Sequence, residues 1–239
     1  MNVLAIGNSF SQDAGRYMSQ IAKADSQTLN FVNLYIGGCP LYLHHRNMLA
    51  DEKNYALEVN GMSTGFGVSI REALLNRQWD YISLQQVSHF SVNYDTYQPY
   101  LIKLAEYIRN YAPKAKLLIH QTWAYEEGSD RLCKELGYKK QSEMYDDLKK
   151  AYEKAADDID AYKIIPSGTA FQNLISNGIE HIHRDTFHAS FGKGRYTLGL
   201  LWYKMLFGNS VLNNSFSDFD EEVSKEDITT IKEIIEKMN

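Results

Sequence analysis

The stretch VLAIGNSFSQDAGRYM, residues 3–18, contains the change from strand to helix that decides the fold. Its first apolar run, residues 3–6, is typical of a buried strand, and Gly7 ends that run. Asn8 and Ser9 follow, and both residue types are favoured where a helix begins. One interpretation is a turn glycine followed by a helix cap. The other is that Ser9 is a nucleophile at the carboxyl edge of a parallel sheet, where open α/β folds bind their ligands.

The composition of the 239-residue chain fits one large α/β domain or, as an alternative, two small ones. Hydrophobic residues make up 44% of the chain and charged residues 23%, which is ordinary for a globular protein. A net charge of -5 and a pI near 5.8 argue against a nucleic-acid partner, which needs a clustered basic surface. No run approaches the ~18 apolar residues of a membrane span. Aromatic residues, at 13%, fit either sugar-stacking surfaces or a tyrosine-rich core.

The first strand begins near residue 2, so no signal peptide is expected within this sequence. A cytoplasmic location follows if that start is native, and a secreted or periplasmic one follows if a leader has been removed. Cys39 and Cys133 are far apart and lack metal-ligand spacing. They fit two buried thiols, which we favour, or a single disulfide.

Strand-like and helix-like segments alternate along the chain, which predicts a mostly parallel sheet covered on both faces. The expected fold is a three-layer α/β/α, flavodoxin-like domain with a five-stranded sheet. It spans residues 1–239 and includes a helical tail at about 215–239. The predicted strands lie at residues 2–6, 31–36, 80–85, 115–120 and within 162–168, and the predicted helices lie near residues 13–25, 69–76, 96–112, 142–159, 195–208 and 225–238.

The carboxyl ends of parallel strands meet at one edge of the sheet, so the residues that follow these strands should share a cleft. Four strand ends are involved. They are Gly7-Asn8-Ser9, Gly37-Gly38, Gln85-Gln86 and the stretch from His120 to Trp123.

A second informative stretch is RDTFHASFGKGRY, residues 184–196, which precedes the last apolar helix. Asp185 and His188 are three residues apart. In a tight loop, the carboxylate can accept a hydrogen bond from Nδ1 of His188 and leave Nε2 to take a proton from a serine hydroxyl. The alternative is that Asp185 is a turn residue and His188 a chance neighbour, since a D-x-x-H pair alone is a weak signal.

Together, IGNSFS near the amino terminus and RDTFHAS near the carboxyl terminus resemble the two end blocks of the SGNH (GDSL-like) hydrolase superfamily. The resemblance spans about residues 2–208. The stretches IGGC, WDYISLQQVS, HQTWAY and GRYTLGLLWY add similarity to an uncharacterised branch of that superfamily.

The resemblance implies a catalytic triad in which Ser9 is the nucleophile, His188 the general base and acid, and Asp185 the orienting carboxylate. It also implies an oxyanion hole. The backbone N–H groups of Ser9 and of Gly38, or alternatively Gly37, would be two of its donors. The family's third donor is an asparagine side chain. This sequence has SLQQVS there, so the resemblance implies that the amide of Gln85, or of Gln86, takes that place.

Other candidates are weaker. Ser11 should lie on the helix rather than in the turn. The pair His44-His45 and the HIH stretch at 181–183 invite a metal site, but neither has further ligands at suitable spacing, and a surface or rim position is expected for His44-His45. Gln86, His120 and Trp123 are candidates for substrate contact, although a packed aromatic rim would also explain His120 and Trp123.

The expected function is therefore deacylation, for example deacetylation, of a carbohydrate or other small ester through an acyl-enzyme intermediate. No metal or organic cofactor is expected, and the expected partner is a small-molecule or glycan ester. The oligomeric state is left open. The alternative is a carbohydrate-binding or assembly module that has the same fold and no catalytic activity.

Overall fold

The computed structural model describes residues 1–238 and contains a seven-stranded sheet with helices packed around it. The strands are β1 (Asn2–Gly7), β2 (Asn30–Tyr35), β3 (Tyr55–Val59), β4 (Met62–Val68), β5 (Tyr81–Leu84), β6 (Lys116–Gln121) and β7 (Lys163–Pro166). The helices are α1 (Ser9–Gly15), α2 (Met18–Ala24), α3 (Leu41–Ala50), α4 (Ile70–Asn76), α5 (Tyr100–Tyr111), α6 (Gln141–Asp158), α7 (Ser167–Ser176), α8 (Lys193–Phe207) and α9 (Lys225–Glu236). A 3₁₀ turn covers Tyr94–Thr96, and a short π-helix covers Arg131–Glu135.

The sheet order is β4-β3-β2-β1-β5-β6-β7, and the five strands from β2 to β7 in that order are parallel. This is the doubly wound order of flavodoxin-like folds, which confirms the predicted five-stranded parallel sheet. β1 lies at the centre, where Val3 is opposite Phe31 on one side and Tyr81 on the other. The carboxyl ends of β1, β2, β5 and β6 therefore meet at one edge.

The hairpin of β3 and β4 was not predicted, and it extends the sheet from five strands to seven. β3 pairs antiparallel with β2, so that Val32 lies opposite Val59. Asn60 and Gly61 join the two strands with φ values of 52° and 80°, the left-handed conformations that a tight hairpin turn requires. Most side chains of β4 are exposed, so the strand lacks the apolar run by which the other strands are recognised.

The first helix begins earlier than predicted and is interrupted. One helix was expected over residues 13–25, whereas α1 begins at Ser9 and α2 begins at Met18. The Asn8 side chain caps α1 by accepting the N–H of Phe10, which moves the start of the helix into the turn after β1.

Helix α8 is buried on nearly all sides, because α1, α2, α7 and α9 all pack against it. On the other side of the sheet, α3 and α4 pack against α5. The carboxyl-terminal segment lies on the domain, since Ile231, Ile234 and Ile235 of α9 are buried. Within residues 1–238, no helix is both long enough and apolar enough to cross a membrane.

Candidate active site

The turn between β1 and α1 holds Ser9 at the carboxyl edge of the sheet. Asn8 is extended (φ −142°, ψ −152°), and its Oδ1 accepts the N–H of Phe10 at 3.0 Å. A Cβ atom on Gly7 would collide with the Ser11 side chain, so this position favours glycine. Asn8 therefore supplies the helix cap, and the hydroxyl of Ser9 is left for another partner.

That partner is His188, whose Nε2 lies 2.7 Å from Oγ of Ser9. On the other side of the ring, Nδ1 of His188 lies 2.7 Å from Oδ2 of Asp185. The backbone N–H of His188 also donates to Oδ1 of Asp185 at 2.9 Å, so both carboxylate oxygens hold the same residue. A serine hydroxyl, an imidazole and a carboxylate thus lie in one chain of hydrogen bonds.

The carboxyl group of Asp185 is biased toward its charged form. Burial by itself would raise the pKa of Asp185, but the hydrogen bonds from the ring and backbone of His188 outweigh it. The pKa of Asp185 therefore lies below its usual value. An ionised carboxylate at Nδ1 keeps the proton of a neutral imidazole on that nitrogen and leaves Nε2 as an acceptor.

The loop that contains Asp185 and His188 is fixed at several points. The carbonyl oxygen of Thr186 accepts the N–H of Glu126 at 2.7 Å, and the carbonyl oxygen of Phe187 accepts Nε1–H of Trp123 at 2.8 Å. The ring of Phe187 packs on that of His188, with centroids 3.8 Å apart. The imidazole is thus positioned by packing as well as by its carboxylate.

A cleft of about 310 Å³ opens beside Ser9, and Gly38 lies on its wall. Gly38 has φ +61°, a left-handed conformation that favours glycine. Its N–H donates to no acceptor within residues 1–238, and neither does the N–H of Ser9, which is in the first turn of α1. Two backbone donors, those of Ser9 and Gly38, are therefore available at the cleft.

Gln85, the predicted third donor, lies behind the cleft, which corrects the expected placement. Its Nε2 donates to Oδ1 of Asn8 at 2.8 Å, and its Oε1 lies 2.8 Å from Nδ1 of His120. The amide of Gln85 is buried and holds the Asn8 turn from beneath. The sequence predicts an amide at this strand end but not which partners it takes.

The three candidates for substrate contact are also buried rather than on the cleft wall. Gln86 uses its amide to bind the backbone of Leu41 and Thr96. His120 binds Gln85 and, through Nε2, Oγ of Ser167 at 3.1 Å. Burial lowers the pKa of His120 to about 3, so its ring is neutral.

Trp123 is fully buried between two aromatic rings. Phe10 stacks on it with centroids 4.2 Å apart, and Phe171 stacks on it with centroids 4.8 Å apart. Trp123 therefore supports the site from below, which agrees with the packed-aromatic alternative and not with substrate contact.

Ser11 is excluded as the nucleophile by its surroundings. It is buried, and its Oγ lies 2.8 Å from the carbonyl oxygen of Asn8 and 2.7 Å from Oδ1 of Asn33. Within residues 1–238, neither histidine motif belongs to a group of three His, Cys, Asp or Glu side chains that could hold a metal ion.

The expected surface position of the pair His44-His45 is wrong for His44, which is fully buried with Nδ1 2.9 Å from the Tyr55 hydroxyl. In the HIH stretch, His181 is exposed while His183 binds the carbonyl oxygen of Ala124.

Sequence reasoning missed several residues of the site. Ser88, Tyr125 and Arg131 line the cleft, and only proximity to a predicted strand end could have pointed to Ser88. Asp13 and Arg184 form an ion pair beneath the loop, and nothing in the sequence pairs two residues so far apart.

The order of these elements defines the class of fold, which is that of the SGNH hydrolases. A protein from Slackia heliotrinireducens, described provisionally as an SGNH hydrolase, matches with a TM-score of 0.63 and 22% identity over 86% of this chain and 98% of that chain. The acetylxylan esterase Axe2 from Geobacillus stearothermophilus matches with a TM-score of 0.52 and 14% identity over 90% and 94% of the two chains. Both likenesses concern the fold.

Within that class, the chain belongs to the family described as "Domain of unknown function (DUF4886)", whose model matches residues 2–234. A DUF4886 family protein from Bacteroides uniformis ATCC 8492 is similar over 99% of this chain and 93% of its own, with 35% identity and a TM-score of 0.92. No curated protein matches.

Proposed function

We propose that this protein is a serine ester hydrolase that acts through an acyl-enzyme intermediate on Ser9. The observation that supports the proposal is the continuous chain of contacts from Oγ of Ser9 to His188 and Asp185, each 2.7 Å long. A serine hydroxyl is a weak nucleophile unless a positioned base removes its proton during attack. His188 is that base, and Asp185 orients it and stabilises the imidazolium that forms.

The reaction proceeds in two halves. Oγ of Ser9 attacks the ester carbonyl carbon while its proton passes to Nε2 of His188, and the carbonyl oxygen becomes an oxyanion. The N–H groups of Ser9 and Gly38 stabilise that charge, and one such donor is worth roughly 3–4 kcal/mol. His188 then gives the proton to the departing alcohol. Water, activated by the same imidazole, releases the acid and restores Ser9.

The proposed substrate is a small ester, for example an acetyl ester on a carbohydrate. A cleft of about 310 Å³ is small for a binding site, which favours a short acyl group. The aromatic side chains of Tyr35, Tyr125 and Phe187 line it and can pack against the apolar face of a sugar ring. The neighbour Axe2, which is an acetylxylan esterase, shares the fold and adds support. The chemistry needs no metal and no organic cofactor.

The test is hydrolysis of p-nitrophenyl acetate by the wild type and by Ser9→Ala, His188→Ala and Asp185→Asn. We expect Ser9→Ala to lower kcat by at least ~10³-fold, because the covalent route is lost. Asp185→Asn should lower kcat by roughly 10⁴-fold, because the amide favours the wrong tautomer of His188. A fluorophosphonate probe should label the wild type, and peptide mapping should find the adduct on Ser9 rather than on Ser11.

Release of p-nitrophenol at the uncatalysed rate by the folded wild type, together with absence of labelling, would contradict the proposal. That result would favour the alternative of a non-catalytic carbohydrate-binding module. Circular dichroism of each variant serves as the control that loss of activity is not loss of fold.

A further inference from the structure

The wall of the cleft contains one permanently charged side chain among the described residues that line it, and that side chain is Arg131. Arg131 is the first residue of the short π-helix and is half-buried. The other lining groups are neutral hydroxyls, aromatic rings, backbone and the imidazoles of His89 and His188. The cleft therefore has a localised positive charge close to the candidate nucleophile.

The guanidinium of Arg131 is held in place without a carboxylate partner. Its Cζ lies 4.0 Å from the centroid of the Phe187 ring, the same ring that packs on His188. Within residues 1–238, no acidic oxygen lies within 4 Å of it to form an ion pair. The adjacent carboxylate of Asp130 is occupied by Lys134 at 2.8 Å.

None of the described groups around Arg131 forms an ion pair with it. Burial first, and the nearby guanidinium second, lower the pKa of His89, so that imidazole adds no charge of its own at neutral pH. Glu135 follows one turn later and forms no ion pair with Arg131. It is exposed to solvent, which screens its charge, although that charge still acts to raise the pKa of His89 and of Tyr125. The hydroxyls of Tyr125 and Ser88 lie 2.9 Å apart on the same wall and supply further hydrogen-bonding groups.

An arginine fixed over an aromatic ring, with N–H donors that no carboxylate occupies, matches the geometry of a carboxylate, which accepts two parallel hydrogen bonds. We propose that Arg131 is a specificity residue that binds a carboxylate on the ester substrate. This inference rests on the proposed function and narrows it to anionic esters. The carboxylate can belong to the alcohol portion, as in an acidic sugar or a hydroxy acid, or to the acyl portion.

The experiment uses two matched pairs of esters. For the alcohol portion, 4-acetoxybenzoate is compared with its neutral methyl ester. For the acyl portion, p-nitrophenyl hydrogen succinate is compared with p-nitrophenyl methyl succinate. The readout is the ratio of kcat/KM for the anionic ester to kcat/KM for the neutral one, measured for wild type, Arg131→Met and Arg131→Lys.

For the wild type, we expect the ratio to favour the anionic ester in one of the two pairs. That pair shows whether the recognised carboxylate belongs to the alcohol portion or to the acyl portion of the substrate. In that pair Arg131→Met should lower the ratio roughly 10- to 100-fold, the range of a charge-assisted hydrogen bond, and Arg131→Lys should lower it less. Lys134→Met removes an equal charge from the same short helix outside the cleft, and its ratio should match that of the wild type.

If Arg131 only packs against Phe187, both esters of each pair will lose activity together, and the unchanged ratio would overturn the inference. The inference would also be overturned if Arg131→Met and Lys134→Met had the same ratio of anionic-ester to neutral-ester kcat/KM. Failure of the proposed function is distinct, because it would abolish turnover of the neutral esters by the wild type.

Discussion

Nη1 of Arg184 lies 2.9 Å from both carboxylate oxygens of Asp13, and this contact joins the two ends of the chain that form the site. Asp13 is in α1, four residues after Ser9, and Arg184 directly precedes Asp185. Nε of Arg195 lies 2.9 Å from Oδ1 of the same carboxylate, which is fully buried. The ion pair therefore sets where the Asp185–His188 loop rests relative to the Ser9 turn.

Replacement of Asp13 by Asn should damage both stability and activity. Two guanidiniums would lose their buried counter-charge, and breaking such a pair costs about 3–5 kcal/mol. We expect urea unfolding to show a loss of that size, with a lower kcat and a nearly unchanged KM for p-nitrophenyl acetate in the folded variant. Asp146→Asn, at an exposed position on α6, is the matched control. An Asp13→Asn protein with wild-type kcat would show that the ion pair does not position the loop.

Gln85→Leu tests whether this amide positions the site or binds the oxyanion. Its loss removes one of the two hydrogen bonds that Oδ1 of Asn8 accepts and leaves the buried Nδ1 of His120 without a partner, which should lower the free energy of unfolding by about 1–3 kcal/mol. Because Asn8 also donates to the carbonyl oxygen of Cys39 beside Gly38, we expect kcat to fall roughly 10- to 100-fold as both backbone donors shift.

The control for Gln85→Leu is Gln78→Leu, at an exposed position far from the cleft, which should leave both quantities unchanged. A large loss of kcat with unchanged stability would instead indicate that the Gln85 amide contacts the oxyanion directly.

Acid should destabilise the fold through buried histidines. Burial lowers the pKa of His44 and His120 to about 3 and that of His183 to about 4, whereas the unfolded chain binds protons near pH 6.5. Below that pH the unfolded state binds more protons than the folded state, so stability falls as pH falls. Each histidine should cost about 2 kcal/mol at pH 5.

Urea unfolding at pH 7.5 and at pH 5 measures this effect. His44→Phe should remove about one third of the difference in the free energy of unfolding between the two pH values, since it deletes one of the three buried histidines. His44 is chosen because it lies away from the cleft. His181→Gln, at an exposed position, should retain the full difference. Equal free energies of unfolding at the two pH values in the wild type would show that the buried histidines do not have lowered pKa values.

The two thiols should react at very different rates. Both cysteines are free thiols, as the sequence favoured, but only Cys39 is buried, and the expected burial is wrong for Cys133, which is exposed. Burial raises the pKa of Cys39 to about 12, so little thiolate is present. We expect Ellman's reagent to modify one thiol per native chain, and Cys133→Ser to abolish that fast phase. Two fast thiols in the native protein would contradict the buried position of Cys39.

Much of the fold could be predicted because it depends on local patterns. The apolar runs of the five parallel strands are mostly buried, and such runs are visible without knowledge of their neighbours. The β3–β4 hairpin was missed although Asn60-Gly61 is a strong turn signal, because exposed strands lack an apolar pattern. The close approach of Gly15 to the Phe31 ring, which a Cβ there would strike, was also missed, because it depends on a contact between α1 and β2.

The sequence by itself determined the parallel sheet, the serine at the end of its first strand, and the Asp185–His188 pair, because these features depend on periodicity and on residues close along the chain. Only the tertiary structure decided that His188 contacts Ser9, 179 positions away in the chain. It also decided that the Gln85 amide binds Asn8 in the interior and that Arg131 lines the cleft. The reason is that a side chain's partners depend on which elements pack together. Burial then requires each polar group to bond with whatever donor or acceptor lies within reach.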